Sequence, residues 1–186
     1  GEILKHSLIL DRKFFFWLSK NGKKIINKEN NTLLTNAIVK SCKIKSKVVN
    51  KEEQEKKLRM ILNFGHTFAH GFEGAKNFSK KLNHGEAVLL GMIIASEFSV
   101  KRKLLTFKEF SLIKKHYFSL KLLMNINKVF KKNEINKIIY FMKKDKKNTN
   151  EKINIILLNK IGKVVPPIRL SFKVNEIKKF LNSYYL

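Results

Sequence analysis

Two neighbouring segments that mix apolar residues with histidines constrain the fold more than any other part of this chain. They are ILNFGHTFAHGFE at residues 61–73 and HGEAVLLGM at residues 84–92. Read as one helix, the first segment and the residues just before it carry a polar stripe spaced by four, three and four positions. The stripe consists of Arg59, Asn63, His66 and His70. Because the other faces of this helix are apolar, the stripe must face a cavity or a partner, since unpaired buried polar groups cost a few kcal/mol.

His84 opens the second segment, whose apolar run at residues 87–94 predicts a buried helix. A histidine at the start of that helix can reach a metal held by the previous helix, and the helix dipole favours Glu86 in the first turn. Gly65 removes a side chain beside His66, which indicates the close approach of another backbone or a ligand. A single histidine here is most simply a hydrogen-bonded core residue. Three histidines together favour a metal site.

Lysine dominates the charge of the chain, since 40 Lys+Arg against 14 Asp+Glu give a formal net charge of +26. Such a charge is typical of proteins that bind nucleic acid, an anionic membrane surface or a phosphorylated ligand. The lysines are spread along the whole chain, however. Asparagine, isoleucine and phenylalanine are also abundant, as drift toward AT-rich codons would produce. The pattern favours a solvated basic surface over a nucleic-acid interface.

Length and composition predict one folded domain over residues 1–186, because 44% of the residues are hydrophobic. The single cysteine, Cys42, excludes an internal disulfide and fits a reducing cytosol. The longest apolar run, residues 87–95, contains a glycine and is too short to span a bilayer. We therefore expect a soluble, cytoplasmic protein without a membrane partner. Because the chain starts at Gly1 rather than at methionine, we also expect it to be part of a larger protein.

Helical periodicity predicts a mainly α fold with several helices. Residues 2–10 form the first predicted helix, and they place Glu2, Lys5 and His6 on one face. Asp11 is the predicted N-cap of the second helix, which Asn21-Gly22 should end. Thr106 is the predicted N-cap of a later helix. His116, next to Lys114, Lys115 and Tyr117, is expected at the surface.

The pattern changes after Lys147. An apolar, β-branched run and the two prolines predict a small β-hairpin near residues 152–170, followed by a last helix from Asn175. The chain shows no internal repeat. It also has no glycine-rich phosphate loop and no βαβ unit of the kind that binds a dinucleotide.

The motifs resemble a known family. RMILNFGHTFAHGFE followed by HGEAVLLGM is similar to the signature of the 3-dehydroquinate synthase family. Further similar stretches are GEILKHSLILDRKFFFWL at the start, KSKVVNKEEQEKKLR before the histidines and DKKNTNEKINIILLNKIGK near the end. Their order and spacing resemble the C-terminal domain of that family from end to end. The resemblance therefore implies the multi-helix C-terminal domain of the dehydroquinate synthase-like fold.

For cofactors, the resemblance implies a zinc or cobalt ion bound by Glu2, His66 and His84. It also implies NAD, held mainly by an N-terminal domain that this chain does not contain. The family's reaction converts 3-deoxy-D-arabino-heptulosonate 7-phosphate to 3-dehydroquinate with loss of phosphate, in the shikimate pathway. The complete enzyme is expected to be a cytoplasmic homodimer, whereas this chain alone is expected to be inactive.

The resemblance also implies a set of residues that bind the phosphorylated substrate. Arg59, Lys5 and Lys45 match positions at the substrate carboxylate and hydroxyls, where a cation of fixed geometry is needed. The residues that match the phosphate group are Asn63, His70 and either Lys146 or Lys147. Ala69 and Gly71 stand where the family usually has glycine and alanine, a departure that removes no ligand.

Two other interpretations remain open on the sequence. The chain could be a catalytically silent, basic helical module that binds nucleic acid or another polyanion. It could also be the domain of a related metal-dependent polyol or alcohol dehydrogenase, although that leaves the DKK and HGEAV motifs unexplained.

Overall fold

A computed structural model describes residues 1–51, 58–145, 148–149, 151–166 and 170–186. The predicted mainly α fold is confirmed. The helices are α1 (Glu2–Leu10), α2 (Arg12–Ile26), α3 (Asn31–Lys51), α4 (His66–Ala75), α5 (His84–Lys101), α6 (Phe107–Ser119), α7 (Ile135–Lys143) and α8 (Val174–Asn182). Short 3₁₀ helices lie at Leu58–Asn63, Ile126–Lys128, Lys132–Glu134 and Ser183–Tyr185. In the described part of the chain, no helix combines the length and the apolar content needed to cross a bilayer.

The first three helices pack against one another, and α1 is buried along most of its length. Asp11 separates α1 from α2 and caps α2, because its Oδ1 accepts a hydrogen bond of 2.8 Å from Phe14 N. Gly22 does not end α2 as predicted. The helix continues to Ile26. At Gly22 it packs against Leu120, whose Cδ1 would lie 3.0 Å from a Cβ, so a small residue fits here.

Helices α4 and α5 form the centre of the largest apolar core. Helix α5 is buried on nearly every side, as its apolar run predicts. The two helices approach so closely that a Cβ on Gly91 of α5 would lie 2.2 Å from the carbonyl oxygen of Gly65. Tyr117 of α6 joins the same core and donates a hydrogen bond of 2.9 Å to Leu89 O. The segment that carries the histidines is therefore held rigidly.

The predicted β segment forms two antiparallel strand pairs. β1 (Lys152–Ile155) pairs with β4 (Leu170–Lys173), and β2 (Leu158–Lys160) pairs with β3 (Lys163–Val164). The turn between β2 and β3 lies on the junction of α1 and α2, where Gly162 N donates a hydrogen bond of 2.7 Å to Leu8 O. The strands therefore attach the C-terminal part of the chain to the first two helices.

His116 is buried rather than exposed, so the prediction of a surface position is wrong. Only 4% of the residue is exposed, and its ring lies 5.4 Å from that of Phe15. Its Nδ1 is 3.2 Å from Ser19 Oγ. The lysines beside it point outward because they occupy other faces of α6. Burial lowers the pKa of His116 to about 4.

The buried His116 should make the fold sensitive to acid. Because the pKa of His116 falls from 6.5 to about 4 on folding, the unfolded chain takes up a proton before the folded chain does. The contribution of neutral His116 to stability is complete above about pH 6.5 and is lost as the pH falls toward 4. Between pH 7.5 and pH 5, this residue should account for about 2 kcal/mol of lost unfolding free energy.

Urea unfolding of the wild type and of His116→Gln at pH 7.5 and 5.0 measures this effect. The variant should lose less stability than the wild type between the two values. Lys115→Gln, an exposed neighbour on α6, is the control and should behave like the wild type. An equal loss in all three proteins would contradict the assignment to His116.

Candidate active site

The polar stripe predicted as one helix is interrupted at Gly65, so that part of the prediction is wrong. Leu58–Asn63 form a 3₁₀ helix, and α4 begins only at His66. Gly65 has a φ of 81°, and a Cβ there would lie 2.6 Å from Met92 Cγ. A positive φ and so close a neighbour both favour glycine, and the left-handed residue ends any continuous helix.

Despite the interruption, seven of the predicted site residues line two adjoining cavities, whereas His84 lines neither of them. The larger is an open cleft of about 440 Å³ that takes up most of the predicted site. The predicted residues that line it are Glu2, Lys5, Lys45, Arg59, Asn63 and His66. The smaller cavity, of about 30 Å³, shares Asn63 and His66 with the cleft and adds His70. The two cavities therefore form one continuous polar region along the starts of α1 and α4.

Glu2 and Lys5 form an ion pair at the start of α1. Lys5 Nζ lies 2.8 Å and 2.9 Å from the two carboxylate oxygens of Glu2. Burial alone would raise the pKa of Glu2, but the hydrogen bond from Lys5 and the nearby positive charges outweigh it and lower that pKa. Burial also lowers the pKa of Lys5, because only 2% of this residue is exposed. Glu2 is therefore an anion at neutral pH whose outer side faces the cleft.

His66, the first residue of α4, directs its unprotonated ring nitrogen, Nε2, toward Glu2. Its Nδ1 lies 3.3 Å from Phe64 O, and because a carbonyl only accepts hydrogen bonds, Nδ1 carries the proton. Burial, with the charge of Lys5 second, lowers the pKa of His66 to about 4. The ring is therefore neutral at pH 7, and Nε2 holds a lone pair. That Nε2 lies 4.0 Å from Glu2 Oε1, so two acceptors face each other.

His84 approaches the same point from the first position of α5. Asn83 and Glu86 form a capping box that fixes the start of this helix. The His84 ring lies 5.7 Å from the His66 ring, measured between centroids. Its Nδ1 is 2.9 Å from Glu73 Oε1, so Nδ1 is the donor and Nε2 is directed away from Glu73.

The start of α1 lies against the start of α5, which brings Glu2 toward His84. A Cβ built on Gly1 would lie 3.4 Å from Gly85 O, in ordinary contact. Glu2 directly follows Gly1 and His84 directly precedes Gly85, so both candidate ligands lie next to this approach of the two helix starts. Three helix starts, those of α1, α4 and α5, meet here with one candidate ligand each.

One carboxylate and two imidazoles are donors that suit a zinc-like cation. Their ligand atoms are farther apart than in a bound zinc site. Within the described ranges, no three His, Cys, Asp or Glu side chains are gathered closely enough to hold a metal ion. Ligand atoms of one tetrahedral zinc lie roughly 3.3 Å apart, against 4.0 Å between Glu2 Oε1 and His66 Nε2. A shift of less than about 1 Å would bring this pair into range. A cation would also remove the repulsion between Glu2 Oε1 and His66 Nε2. It must compete with Lys5, which is hydrogen-bonded to the Glu2 carboxylate.

The smaller cavity is lined by side chains that can form hydrogen bonds, including His70, Asn63 and the carboxylate of Asp145. His70 lies one turn after His66, and the two ring centroids are 5.9 Å apart. Its Nδ1 is 3.5 Å from Asp145 Oδ2, which orients the ring. Asn63 completes the polar side toward the cleft. Lys146 and Lys147, the two alternatives from the DKK motif, lie outside the described residues.

Two residues of the site were not singled out as functional from the sequence. His6 is buried in the cleft wall, with Nδ1 2.7 Å from Ser41 Oγ. Its Nε2 has no hydrogen-bond partner in the described part of the chain and lies 3.9 Å from Glu2 Oε2. Glu73, the partner of His84, is the second. Its position seven residues after His66, on the same face of α4, was the only signal in the sequence.

The chain is similar in sequence to known proteins along nearly its whole length. The family described as 3-dehydroquinate synthase C-terminal matches residues 1–148. The 3-dehydroquinate synthase of Pelagibacter ubique is 52% identical over 181 residues, which cover 97% of this chain and 48% of that protein. The 3-dehydroquinate synthase of Dictyoglomus thermophilum is 38% identical over 165 residues, covering 88% of this chain and 44% of that protein. The chain thus spans about half the length of these curated relatives.

Solved structures share the fold at lower identity. A 2-epi-5-epi-valiolone synthase from Streptomyces hygroscopicus, solved with NAD+ and Zn2+ bound, superposes with a TM-score of 0.76 at 24% identity, over 99% of this chain and 49% of that one. A 2-deoxy-scyllo-inosose synthase, complexed with carbaglucose-6-phosphate, NAD+ and Co2+, gives a TM-score of 0.75 at 22% identity, over 98% of this chain and 50% of that one.

Proposed function

Since the chain belongs to the 3-dehydroquinate synthase family, we propose that it forms the metal- and substrate-binding part of a 3-dehydroquinate synthase. The proposed reaction converts 3-deoxy-D-arabino-heptulosonate 7-phosphate to 3-dehydroquinate with loss of phosphate. One observation carries the proposal: a carboxylate and a neutral imidazole face each other at 4.0 Å on the edge of a cationic cleft. That arrangement suits a divalent cation beside an anionic substrate.

The proposed metal ligands are Glu2, His66 and His84, which hold zinc or cobalt. When bound, such an ion polarises substrate hydroxyls and leaves a coordination position open for them. The neutral state of His66 supports this role, because a ligating imidazole must offer a lone pair. The lowered pKa of Glu2 supports it too, since the carboxylate stays ionised at neutral pH.

The cleft offers the cations that a doubly anionic substrate needs. Arg59 has a planar guanidinium that can bind a carboxylate with two parallel hydrogen bonds. Lys5 is preorganised by burial and by its bond to Glu2, whereas Lys45 is exposed at the rim. We propose that these three residues hold the carboxylate and hydroxyls of the substrate while water is displaced from the cleft.

The phosphate end is proposed to lie in the smaller cavity. Asn63 is proposed to donate a hydrogen bond to it, and His70, whose Nδ1 lies beside Asp145 Oδ2, is proposed to contact it through Nε2. Lys146 or Lys147 is proposed to add a positive charge, on the basis of the DKK motif alone. Because Asn63 and His66 line both cavities, one substrate can span from the metal ligands to the phosphate group.

NAD is the second proposed cofactor, and we propose that it binds mainly to a part corresponding to the other half of the relatives. The helices and short strand pairs of this chain include no βαβ unit in the described residues. Residues 1–186 are proposed to act as one domain, and the complete protein as a cytoplasmic homodimer.

Reconstitution tests this function. The N-terminal half of the Pelagibacter ubique relative, fused to this chain, should release phosphate from the heptulosonate phosphate only with both NAD+ and zinc present. The 186-residue chain alone should give no release above background, because nothing would hold nicotinamide against the substrate carbon. Phosphate is followed with a coupled colorimetric assay.

The controls distinguish a chain that lacks its NAD-binding part from a chain that is itself inactive. The fusion should bind zinc and remain folded by circular dichroism, and its activity should disappear with Arg59→Ala. Turnover by the chain alone would contradict the two-part assignment. A folded, zinc-loaded fusion that releases no phosphate would contradict the proposed reaction.

A further inference from the structure

We propose that Glu73 is a positioning residue for the metal site: it holds His84 with Nδ1 protonated and Nε2 free for the metal. This inference rests on the proposed metal site and adds a residue behind the three ligands. The observation that carries it is the 2.9 Å contact between His84 Nδ1 and Glu73 Oε1.

The contact determines which nitrogen of His84 is available. An ionised carboxylate only accepts hydrogen bonds, so the proton of this contact belongs to Nδ1. The other nitrogen, Nε2, is then the only one that can bind a metal. A carboxylate behind a ligating imidazole in this way fixes the ring orientation and raises the basicity of the ligand nitrogen.

His84 needs such a support more than His66 does. The His84 side chain is 58% exposed, whereas that of Glu73 is only 14% exposed. His66 is confined by burial at the start of α4, but His84 has solvent on one side and would otherwise rotate and exchange tautomers freely. Holding it in one orientation removes conformational freedom that metal binding would otherwise have to remove.

The position of Glu73 links two of the three ligands. Glu73 follows His66 by seven residues, two turns along the same face of α4. One helix therefore carries His66 directly and holds His84, from α5, through a side chain. Glu86, the other nearby carboxylate, is already engaged, since its Oε2 accepts from Asn83 N at 3.1 Å in the capping box.

The test uses the full 186-residue chain with two variants of Glu73 and one control. Glu73→Ala removes the acceptor, whereas Glu73→Gln keeps an amide oxygen that can still accept from Nδ1. Glu86→Gln removes the same charge from the first turn of α5 but leaves the His84 contact intact, and glutamine still completes a capping box. Zinc binding is measured by isothermal titration, and the His84 tautomer by ¹⁵N NMR of the metal-free protein.

The wild type should show His84 protonated on Nδ1 before any metal is added. Glu73→Ala should give a mixture of tautomers and a zinc affinity lower by roughly 10- to 100-fold. Glu73→Gln should keep the Nδ1-protonated form and lose less affinity, and Glu86→Gln should match the wild type. A purely structural role for Glu73 would not change the tautomer, so the NMR spectrum distinguishes the two roles.

Two results would overturn the inference, and they differ from failure of the proposed function. If the wild type binds zinc and Glu73→Ala binds it equally well, Glu73 does not position the ligand. If the His84 tautomer is the same in wild type and Glu73→Ala, the contact does not set it. A wild-type chain that binds no zinc would instead overturn the proposed metal site itself.

Discussion

Replacing His66 with alanine is expected to lower the zinc affinity of the chain by at least about a hundredfold, the upper end of what is lost when a residue behind a ligand is removed. His66 is the central member of the proposed ligand set, because its Nε2 faces Glu2 at 4.0 Å and its ring lies 5.7 Å from that of His84. Without it, two ligands on different helices have no common point. Isothermal titration with zinc on the metal-free chain measures the loss.

His70→Ala provides the matched control for this experiment. His70 lies one turn further along α4, carries the same ring and lies 5.9 Å from His66, but it faces Asp145 and the smaller cavity. Its loss should leave zinc affinity nearly unchanged while it reduces phosphate release in the reconstituted enzyme. Equal zinc affinity in the wild type and in His66→Ala would contradict the metal assignment. A large loss in His70→Ala would show that the ligand set had been chosen wrongly.

Local signals in the sequence predicted much of the fold because they act over a few residues. Asp11 and Thr106 cap their helices as predicted, since a side-chain oxygen there meets backbone N–H groups of the first turn. The face shared by Glu2, Lys5 and His6 follows from helical spacing alone. The change of pattern after residue 147 also marked the strands correctly: β2 and β3 form a hairpin, and β1 and β4 form a second pair.

What the sequence could not show depends on contacts between distant residues. Gly65, where the helix is interrupted, lies against Met92, which is 27 positions later in the sequence. Helical periodicity does not detect such a contact. His116 follows two lysines in the sequence, yet its own face of α6 packs on Phe15 of α2. Glu73 contacts His84 only because α5 turns back and places His84 beside it. In each case, tertiary packing decides what a local pattern leaves open.

The net positive charge of the chain and the fixed lysine in the cleft act on anions in different ways. A formal net charge of +26 attracts any anion over the distance of the Debye length, about 8 Å at physiological ionic strength. The cleft differs from this general field because Lys5 is buried and fixed against Glu2. A fixed and desolvated cation distinguishes one anion from another, whereas solvated lysines attract all of them alike.

Gly91→Ala is expected to destabilise the chain by at least about 3 kcal/mol, the upper part of the usual range for overpacking. A Cβ at this position would lie 2.2 Å from Gly65 O and 3.1 Å from Ala69 N. Gly65 O also accepts the hydrogen bond of 3.0 Å from Ala69 N that begins α4. To make room, α4 and α5 must move apart in the centre of the core, or the first turn of α4 must open. Either change displaces His66, so zinc affinity should fall as well.

Gly85→Ala is the control, because Gly85 belongs to the same helix but has space around it. The nearest atom to a Cβ there is Asn83 Oδ1 at 3.4 Å, an ordinary contact. Alanine is favoured over glycine within a helix by up to about 1 kcal/mol, so this variant should be neutral or slightly more stable. Helix propensity alone would stabilise both variants. A loss of stability in Gly91→Ala but not in Gly85→Ala would therefore report the close packing at Gly91. Urea unfolding at pH 7.5 measures both. Equal stability of the two variants would show that the close approach of α4 and α5, and with it the rigid placement of His66, does not hold in solution.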